Sequence, residues 1–270
     1  MLFTSRLRVI IQEEAGSDDE NDELQILPTD NLIVSAKIED DVSYLEVYVY
    51  EASEDNLYVH HDIMLPSQPL CVEWINYHTN STVEDDGTRR GNMAAVGTFD
   101  PDIEIWDIDV LESIYPDTIL GPGANKSEST LDEALPSKNK KKKKKKKRGV
   151  RGPDEHHHVD AVMCLSSNRL QRNLLLSGSA DTTVKLWDLA KGSSSSCVKS
   201  YTYHSDKVSA IQWHPTEAFY ALSGSYDRVA IVADFRTTEG MVAKWKFDRD
   251  AEGVKWDPHD PNYFYVCLTS

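Results

Sequence analysis

The stretch 174–188, with the sequence LLLSGSADTTVKLWD, constrains the fold most because its landmarks recur at a fixed distance. An apolar run opens it, and Val184 and Leu186 then alternate with Lys185 as a half-buried strand requires. A shift of 46 positions joins the members of these pairs: His158 and His204, Asp160 and Asp206, Ser177 and Ser223, Asp181 and Asp227, Asp188 and Asp234. A repeat of this length predicts a chain built from similar small β-sheets.

An earlier stretch, 94–107, has the same ending, with Asp100 as far from Trp106 as Asp181 is from Trp187. The period and the closing Trp-Asp pairs resemble WD repeats, each of which forms one blade of a β-propeller. The resemblance predicts an all-β WD40 β-propeller that is incomplete, with about three blades and part of a fourth. A closed propeller protects its strand edges, so a chain that stops within a blade is expected to expose some of them.

Composition and turn signals divide the chain into five predicted parts. The acidic start is nearly free of apolar residues and is expected to be disordered, because it cannot bury enough surface to offset its ordering entropy. The parts are a disordered acidic segment (1–26), the first propeller strands and blade (27–114), a disordered lysine-rich insertion (115–155), two WD repeats (156–234) and the start of a truncated further blade (235–270).

The WD resemblance also implies a buried hydrogen-bonded set in each repeat, formed by a His, a Ser or Thr, an Asp and the Trp. The matching residues are His158, Ser177, Asp181 and Trp187 in one repeat, His204, Ser223 and Asp227 in the next, and Asp100 and Trp106 in the earlier one. Two repeats depart from the pattern: the repeat of His204 has Ala233 at the Trp position, and the repeat of Trp106 has Val96 at the Ser position. Apolar packing is therefore expected to contribute more to the stability of those two blades than hydrogen bonds do.

A group of His, Asp and Ser also raises the alternative of a hydrolase. No G-x-S-x-G motif accompanies it, and its members fall where a structural network is expected. The sequence therefore predicts no catalytic residue, and no cofactor or small-molecule substrate. His60-His61-Asp62 has no third ligand at useful spacing and is predicted to be a strand-end turn rather than a metal site. The adjacent side chains of His156-His157-His158 cannot converge on one ion, so His158 is predicted to be the blade histidine and the other two to lie in a loop.

The net charge of −16 hides a basic segment in an acidic chain. Residues 138–151 hold eleven of the 29 basic residues, and without them 18 basic residues face 45 acidic ones, a net charge of −27. The basic residues are Lys138, Lys140, Lys141, Lys142, Lys143, Lys144, Lys145, Lys146, Lys147, Arg148 and Arg151. Three interpretations stay open: a nuclear or nucleolar import signal, a sequence-independent contact to RNA or DNA phosphates, and a solvated loop.

Other features concern location and modification. Ser17 precedes three acidic residues, a context that suits an acid-directed kinase as well as an unmodified tail. No apolar run approaches the roughly 18 residues of a membrane span, so no membrane partner is predicted. Four separated cysteines without a C-x-x-C pair favour reduced thiols in an intracellular protein.

Several runs resemble the periodic tryptophan protein 1 family more specifically than the WD pattern does: Pro28 to Val34, Tyr58 to Ile63, Val72 to Trp74 and Ile103 to Ile108, with the lysine run following in that family's order. The resemblance implies a non-catalytic nuclear and nucleolar scaffold in ribosome biogenesis, acting in pre-rRNA processing, large-subunit assembly and rDNA transcription. It implies proteins of pre-ribosomal particles as partners, and pre-rRNA or rDNA chromatin as further ones. The alternative is a chromatin adaptor that binds histone tails, which an acidic propeller body suits.

Overall fold

A computed structural model describes residues 26, 29–79, 90–111, 113–122, 154–191, 196–237 and 240–270. Nearly all of the predicted acidic segment, including Ser17, lies outside these residues. So do residues 123–153 of the insertion, which hold all of the basic residues named above. In the part of the chain that is described, no helix is both long enough and apolar enough to cross a bilayer.

Short antiparallel strands account for almost all regular structure in the described residues, which confirms the all-β WD40 propeller prediction. The strands are β1 (Asn31–Glu39), β2 (Val42–Glu51), β3 (Asn56–Leu65), β4 (Pro69–Ile75), β5 (Met93–Thr98), β6 (Ile103–Asp107), β7 (Thr118–Leu120), β8 (Val162–Ser167), β9 (Leu174–Ser179), β10 (Val184–Asp188), β11 (Cys197–Tyr201), β12 (Val208–Trp213), β13 (Tyr220–Ser225), β14 (Val229–Asp234), β15 (Met241–Lys246), β16 (Ala251–Trp256) and β17 (Phe264–Leu268). A short 3₁₀ turn, Leu189–Lys191, follows β10.

Three four-stranded sheets form blades, and two smaller sheets flank them. Blade 1 is β4–β7, blade 2 is β8–β11 and blade 3 is β12–β15, while β1–β3 and β16–β17 form the flanking sheets. The first strands of successive sheets pack side by side, β4 with β8, β8 with β12 and β12 with β16, and so form the inner wall of the propeller. The core is therefore a series of layers between sheets, and each of its four clusters joins two neighbouring sheets.

A glycine on the second strand of each blade permits this close packing. A Cβ at Gly178 would lie 2.6 Å from Val208 Cγ1 and 2.7 Å from Cys164 Sγ. Gly97 and Gly224, at matching places in blades 1 and 3, meet the next inner strand in the same way. The glycine is needed because a stiff, β-branched side chain of the following blade fills the space where a Cβ would go.

Hydrogen bonds from side chain to backbone also join the blades at the ends of their inner strands. Glu73 accepts from the backbone N–H of Ser167 at 2.9 Å. Between blades 2 and 3, Ser166 Oγ accepts from the N–H of Trp213 at 3.1 Å. Between blade 3 and the β16–β17 sheet, Gln212 Oε1 accepts from the N–H of Trp256 at 2.7 Å. Each blade thus fixes the position of the next one along the chain.

The prediction of a turn at His60-His61-Asp62 is wrong. These residues lie inside β3, where a register shift opposite Val47 and Tyr48 accommodates an extra residue. His61 is turned toward the core side of the sheet, and burial, with the neighbouring His60, lowers its pKa to about 4. The three polar residues suggested the end of a strand, whereas a β-bulge accommodates them within one.

Candidate functional site

The first repeat brings four predicted residues together in blade 2. His158 precedes β8, Ser177 lies on β9, Asp181 lies in the turn between β9 and β10, and Trp187 lies on β10. His158 Nδ1 is 2.9 Å from Asp181 Oδ2, and His158 Nε2 is 2.7 Å from Ser177 Oγ. Trp187 Nε1 donates to the same Ser177 Oγ at 2.7 Å. The four side chains therefore form one continuous chain of hydrogen bonds.

The two terminal residues of this hydrogen-bond chain determine where its protons lie. The Trp187 indole can only donate and the Asp181 carboxylate can only accept. Ser177 must then donate its proton to His158 Nε2, and the neutral imidazole carries its own proton on Nδ1. Protonation of Nε2 would put a charge on the buried imidazole and force the Ser177 hydroxyl to turn its proton away from it.

The order of Ser, His and Asp is the order found in a hydrolase triad, but the setting differs. Ser177 and His158 are both fully buried, at 0% exposure. The Ser177 oxygen is enclosed and already accepts from Trp187, so a substrate carbonyl has no room to approach it. This arrangement stabilises a blade and does not suit nucleophilic catalysis.

Asp181 is the most heavily bonded member of the set. Besides His158, its carboxylate accepts from the backbone N–H of Val159 at 3.1 Å and from the backbone N–H and hydroxyl of Thr183 at 3.0 and 2.7 Å. Burial alone would raise the pKa of Asp181, but the hydrogen bonds from His158 and Thr183 outweigh it and hold the pKa well below its usual range. The carboxylate is therefore charged and fully used within the fold.

The next repeat keeps three members of the set. His204 Nδ1 lies 3.1 Å from Asp227 Oδ2, and His204 Nε2 lies 2.9 Å from Ser223 Oγ. Ala233 stands at the Trp position and packs in the apolar layer between blades 2 and 3. Polar bonds thus remain in this blade, beside the apolar packing that the sequence suggested.

The earlier repeat does not form the set, and the prediction for Asp100 needs correction. Asp100 is exposed, and its backbone N–H donates to Thr98 Oγ1 at 3.1 Å. Trp106 is fully buried, and its indole N–H donates to Glu104 Oε2 at 3.1 Å. The physical reason is Val96, which offers no hydroxyl to link the indole to a histidine. Burial raises the pKa of Glu104, against the opposing effect of the indole N–H.

The buried histidines predict a dependence of stability on pH. Burial lowers the pKa of His158 and His204, although their aspartate partners act in the opposite direction. In the unfolded chain both titrate near 6.5, so below that pH the unfolded state binds more protons than the folded state. We expect the stabilising contribution of these histidines to be fully present above pH ~6.5. As the pH decreases below ~6.5, the free energy of unfolding should decrease by at most about 1.4 kcal/mol per pH unit for each histidine. Urea unfolding followed by circular dichroism at several pH values measures this.

His204→Gln provides the comparison for that measurement. The variant should lose the contribution of one histidine to the slope of stability against pH, whatever its stability at neutral pH. Burial raises the pKa of Asp109 to about 6, so this residue adds stability as the pH decreases below 6. Asp109 is present in the parent and in the variant, so it does not affect the comparison. Equal slopes for the two proteins would contradict a neutral, buried His204.

The remaining predicted site residues do not join these networks. The lysine-rich residues and Ser17 lie outside the described residues. His156 is exposed, with its backbone N–H donating to Asp154 Oδ1 at 2.8 Å, and His157 lies 3.3 Å from the same carboxylate. Across the described ranges, no group of three or more His, Cys, Asp or Glu residues is placed to hold a metal ion.

Lys185 is a buried polar residue that sequence reasoning missed. The alternation of β10 placed it on a solvent face, yet it is fully buried and its Nζ donates to Ser200 Oγ at 2.7 Å and to the backbone oxygen of Asp154. Burial lowers its pKa. The signal was misleading because both faces of a propeller blade are covered, whereas alternation assumes that one face meets water.

The fold and its networks define a WD-repeat protein. The family model for the WD domain, G-beta repeat, matches residues 154–188 and 195–234. An uncharacterized WD repeat-containing protein of Schizosaccharomyces pombe is 48% identical over 96% of the chain and 45% of its own length. Periodic tryptophan protein 1 of Saccharomyces cerevisiae is 40% identical over 88% of the chain and 43% of its own length. A ribosome biogenesis protein WDR12 homolog of Oryza sativa subsp. japonica is 29% identical over 65% of the chain and 47% of its own length.

The chain belongs to the periodic tryptophan protein 1 family, as its sequence motifs indicated. It spans about half the length of the curated relatives that it matches.

Proposed function

We propose that the chain forms part of a non-catalytic propeller scaffold in ribosome biogenesis. The observation that carries this proposal is the enclosed network at His158, in which every polar atom serves the fold and none faces a substrate. The name of the WDR12 relative supports the biological process. Such a scaffold would act by holding partner proteins on a rigid surface.

The proposed site of action is the nucleus, chiefly the nucleolus, with partners among the proteins of pre-ribosomal particles. The finer proposal is a role in pre-rRNA processing, large-subunit assembly and rDNA transcription. Residues 138–151 would serve import, nucleolar retention or contact with RNA phosphates, because a dense basic run releases counterions when it meets a polyanion. Phosphorylation of Ser17 would add charge to an already acidic segment.

A second candidate, a chromatin adaptor for histone tails, is favoured by one observation. Apart from residues 138–151 the chain carries 18 basic and 45 acidic residues, a net charge of −27. A surface of this charge attracts basic tails and repels nucleic acid.

Sedimentation of nuclear extract distinguishes these proposals. The full chain is expected to migrate with large pre-ribosomal particles and to be released by RNase. A variant with Lys140–Lys147 changed to Gln should bind the particles less and lose its sensitivity to salt. Release by DNase alone would reject the ribosomal proposal and favour the chromatin adaptor.

A further inference from the structure

The β-bulge in β3 places two histidine rings against each other. Successive side chains of a regular strand point to opposite faces of a sheet, so adjacent histidines do not normally meet. The register between β2 and β3 skips His60, which is the extra residue of the bulge, while His61 pairs with Val47. The two ring centroids lie 5.1 Å apart and the two Nδ1 atoms 2.9 Å apart. The bulge therefore forms a close pair of nitrogens of the kind that bind metal ions.

A hydrogen bond between the two rings does not satisfy them both. One Nδ1 atom must donate and the other must accept. If His60 donates, the His61 proton lies on Nε2, and if His61 donates, its Nε2 keeps a bare lone pair. In both cases His61 Nε2 is buried and has no hydrogen-bond partner. A buried polar atom left unpaired calls for an explanation, and a bound ion is one.

The pair is suited to bind a cation at neutral pH. Burial and the neighbouring His60 lower the pKa of His61 to about 4, so its imidazole is neutral and has no charge to lose before an ion binds. Among the described strands β3 pairs only with β2, and both histidines are half-buried. The pair thus lies on the outermost strand of its sheet, where water can complete the coordination of an ion.

The distance between the nitrogens indicates the geometry of the ion. A transition-metal ion binds an imidazole nitrogen at about 2.0–2.1 Å. Two such nitrogens at adjacent corners of a square are then about 2.9 Å apart, whereas on a tetrahedron they are about 3.3–3.4 Å apart. The observed 2.9 Å matches the square. Square and tetragonal sites with nitrogen and oxygen ligands are typical of Cu²⁺ and Ni²⁺, and Cu²⁺ binds the more tightly.

We infer that His60 and His61 bind one Cu²⁺ ion through their Nδ1 atoms, at adjacent corners of a square that water completes. The ion takes the place of the proton that the two rings share, and each ring then carries its proton on Nε2. Water fills the other positions because the described residues bring no third His, Cys, Asp or Glu to the pair. The coordination bonds offset the unpaired Nε2 of His61 and hold the bulge of β3 in place.

Titration of the purified full chain with Cu²⁺, followed by electron paramagnetic resonance, tests this inference. The first equivalent should give a tetragonal signal with hyperfine splitting from two nitrogens. His60→Gln and His61→Gln should each leave one nitrogen. Loss of an outer-shell partner alone costs about tenfold to a hundredfold in metal affinity, so loss of a ligand should weaken binding at least about tenfold, measured by competition with glycine. Should His61→Gln fail to fold, His60→Gln carries the test alone.

The matched control is His156→Gln/His157→Gln, which removes two histidines that are also adjacent in sequence but precede β8 in a loop. This variant should keep the affinity of the parent and the signal from two nitrogens. Parental affinity in His60→Gln, or loss of binding in the control, overturns the inference. A parent signal from fewer than two nitrogens overturns it too. All of these outcomes leave the ribosomal proposal untouched, because the measurement involves no particle.

Discussion

Replacing Asp181 with alanine is expected to lower the free energy of unfolding by about 3–5 kcal/mol, because several buried donors lose their acceptor at once and each costs about 1–3 kcal/mol. Those donors are His158 Nδ1, the backbone N–H of Val159, and the N–H and hydroxyl of Thr183. The other N–H groups of the turn keep their own acceptors, since Ala180 donates to the Ala161 oxygen and Thr182 to the Ser179 oxygen. Urea unfolding at pH ~7.5, followed by circular dichroism, measures the loss.

Asp100→Ala is the matched control for this prediction. Asp100 stands at the corresponding turn of blade 1, but it is exposed and its side chain does not meet the indole of Trp106. Its substitution should change stability by no more than about 0.5 kcal/mol, as surface substitutions usually do. Similar losses for Asp100→Ala and Asp181→Ala would show that the turn itself, rather than the network, determines stability.

Trp187→Ala is expected to have a comparable effect, about 3–5 kcal/mol, through a different mechanism. The indole is 1% exposed and lies in the layer between blades 1 and 2, against residues such as Leu175 and Leu189. Removing it leaves a cavity and frees the lone pair of Ser177 that the indole N–H occupied. The same unfolding measurement applies, and near-ultraviolet circular dichroism reports whether the layer stays ordered.

Trp187→Phe separates the two contributions. It keeps much of the apolar volume and removes the N–H, so we expect a loss of about 1–2 kcal/mol from the hydrogen bond and the smaller ring. If phenylalanine proved as costly as alanine, the hydrogen bond to Ser177 would outweigh packing in this layer.

The sequence predicted the parts of the site that follow from the repeat alone. His158, Ser177 and Asp181 recur 46 residues later, so the repeat places both copies at the same points of a blade. The network of blade 1 could not be predicted in this way, because the partner of Trp106 is Glu104, a residue that the WD pattern does not mark. Lys185 was misjudged for a related reason, since its burial depends on a neighbouring strand and on Asp154.

The junctions between blades were also beyond the sequence argument. Ser166 and Gln212 are 46 positions apart and perform the same task, yet their residue types differ and only their distance along the chain relates them. Glu73 performs it in blade 1, where the spacing is interrupted by the long insertion. Because equivalent positions make this contact with different residue types, no sequence motif marks it.

The layered core has a consequence for how this fold tolerates change. Each of the three blades packs against the sheet before it and the sheet after it, so a disturbance in one blade is expected to act mainly on its two neighbours. Local opening, as seen by hydrogen exchange, should accordingly divide along the layers rather than spread across the molecule. Long connections can lengthen or shorten between strands without moving the layers, whereas a single methyl group at Gly178 acts directly on one of them. Each blade should therefore tolerate changes in its own connections as long as its packing against the two neighbouring sheets is kept.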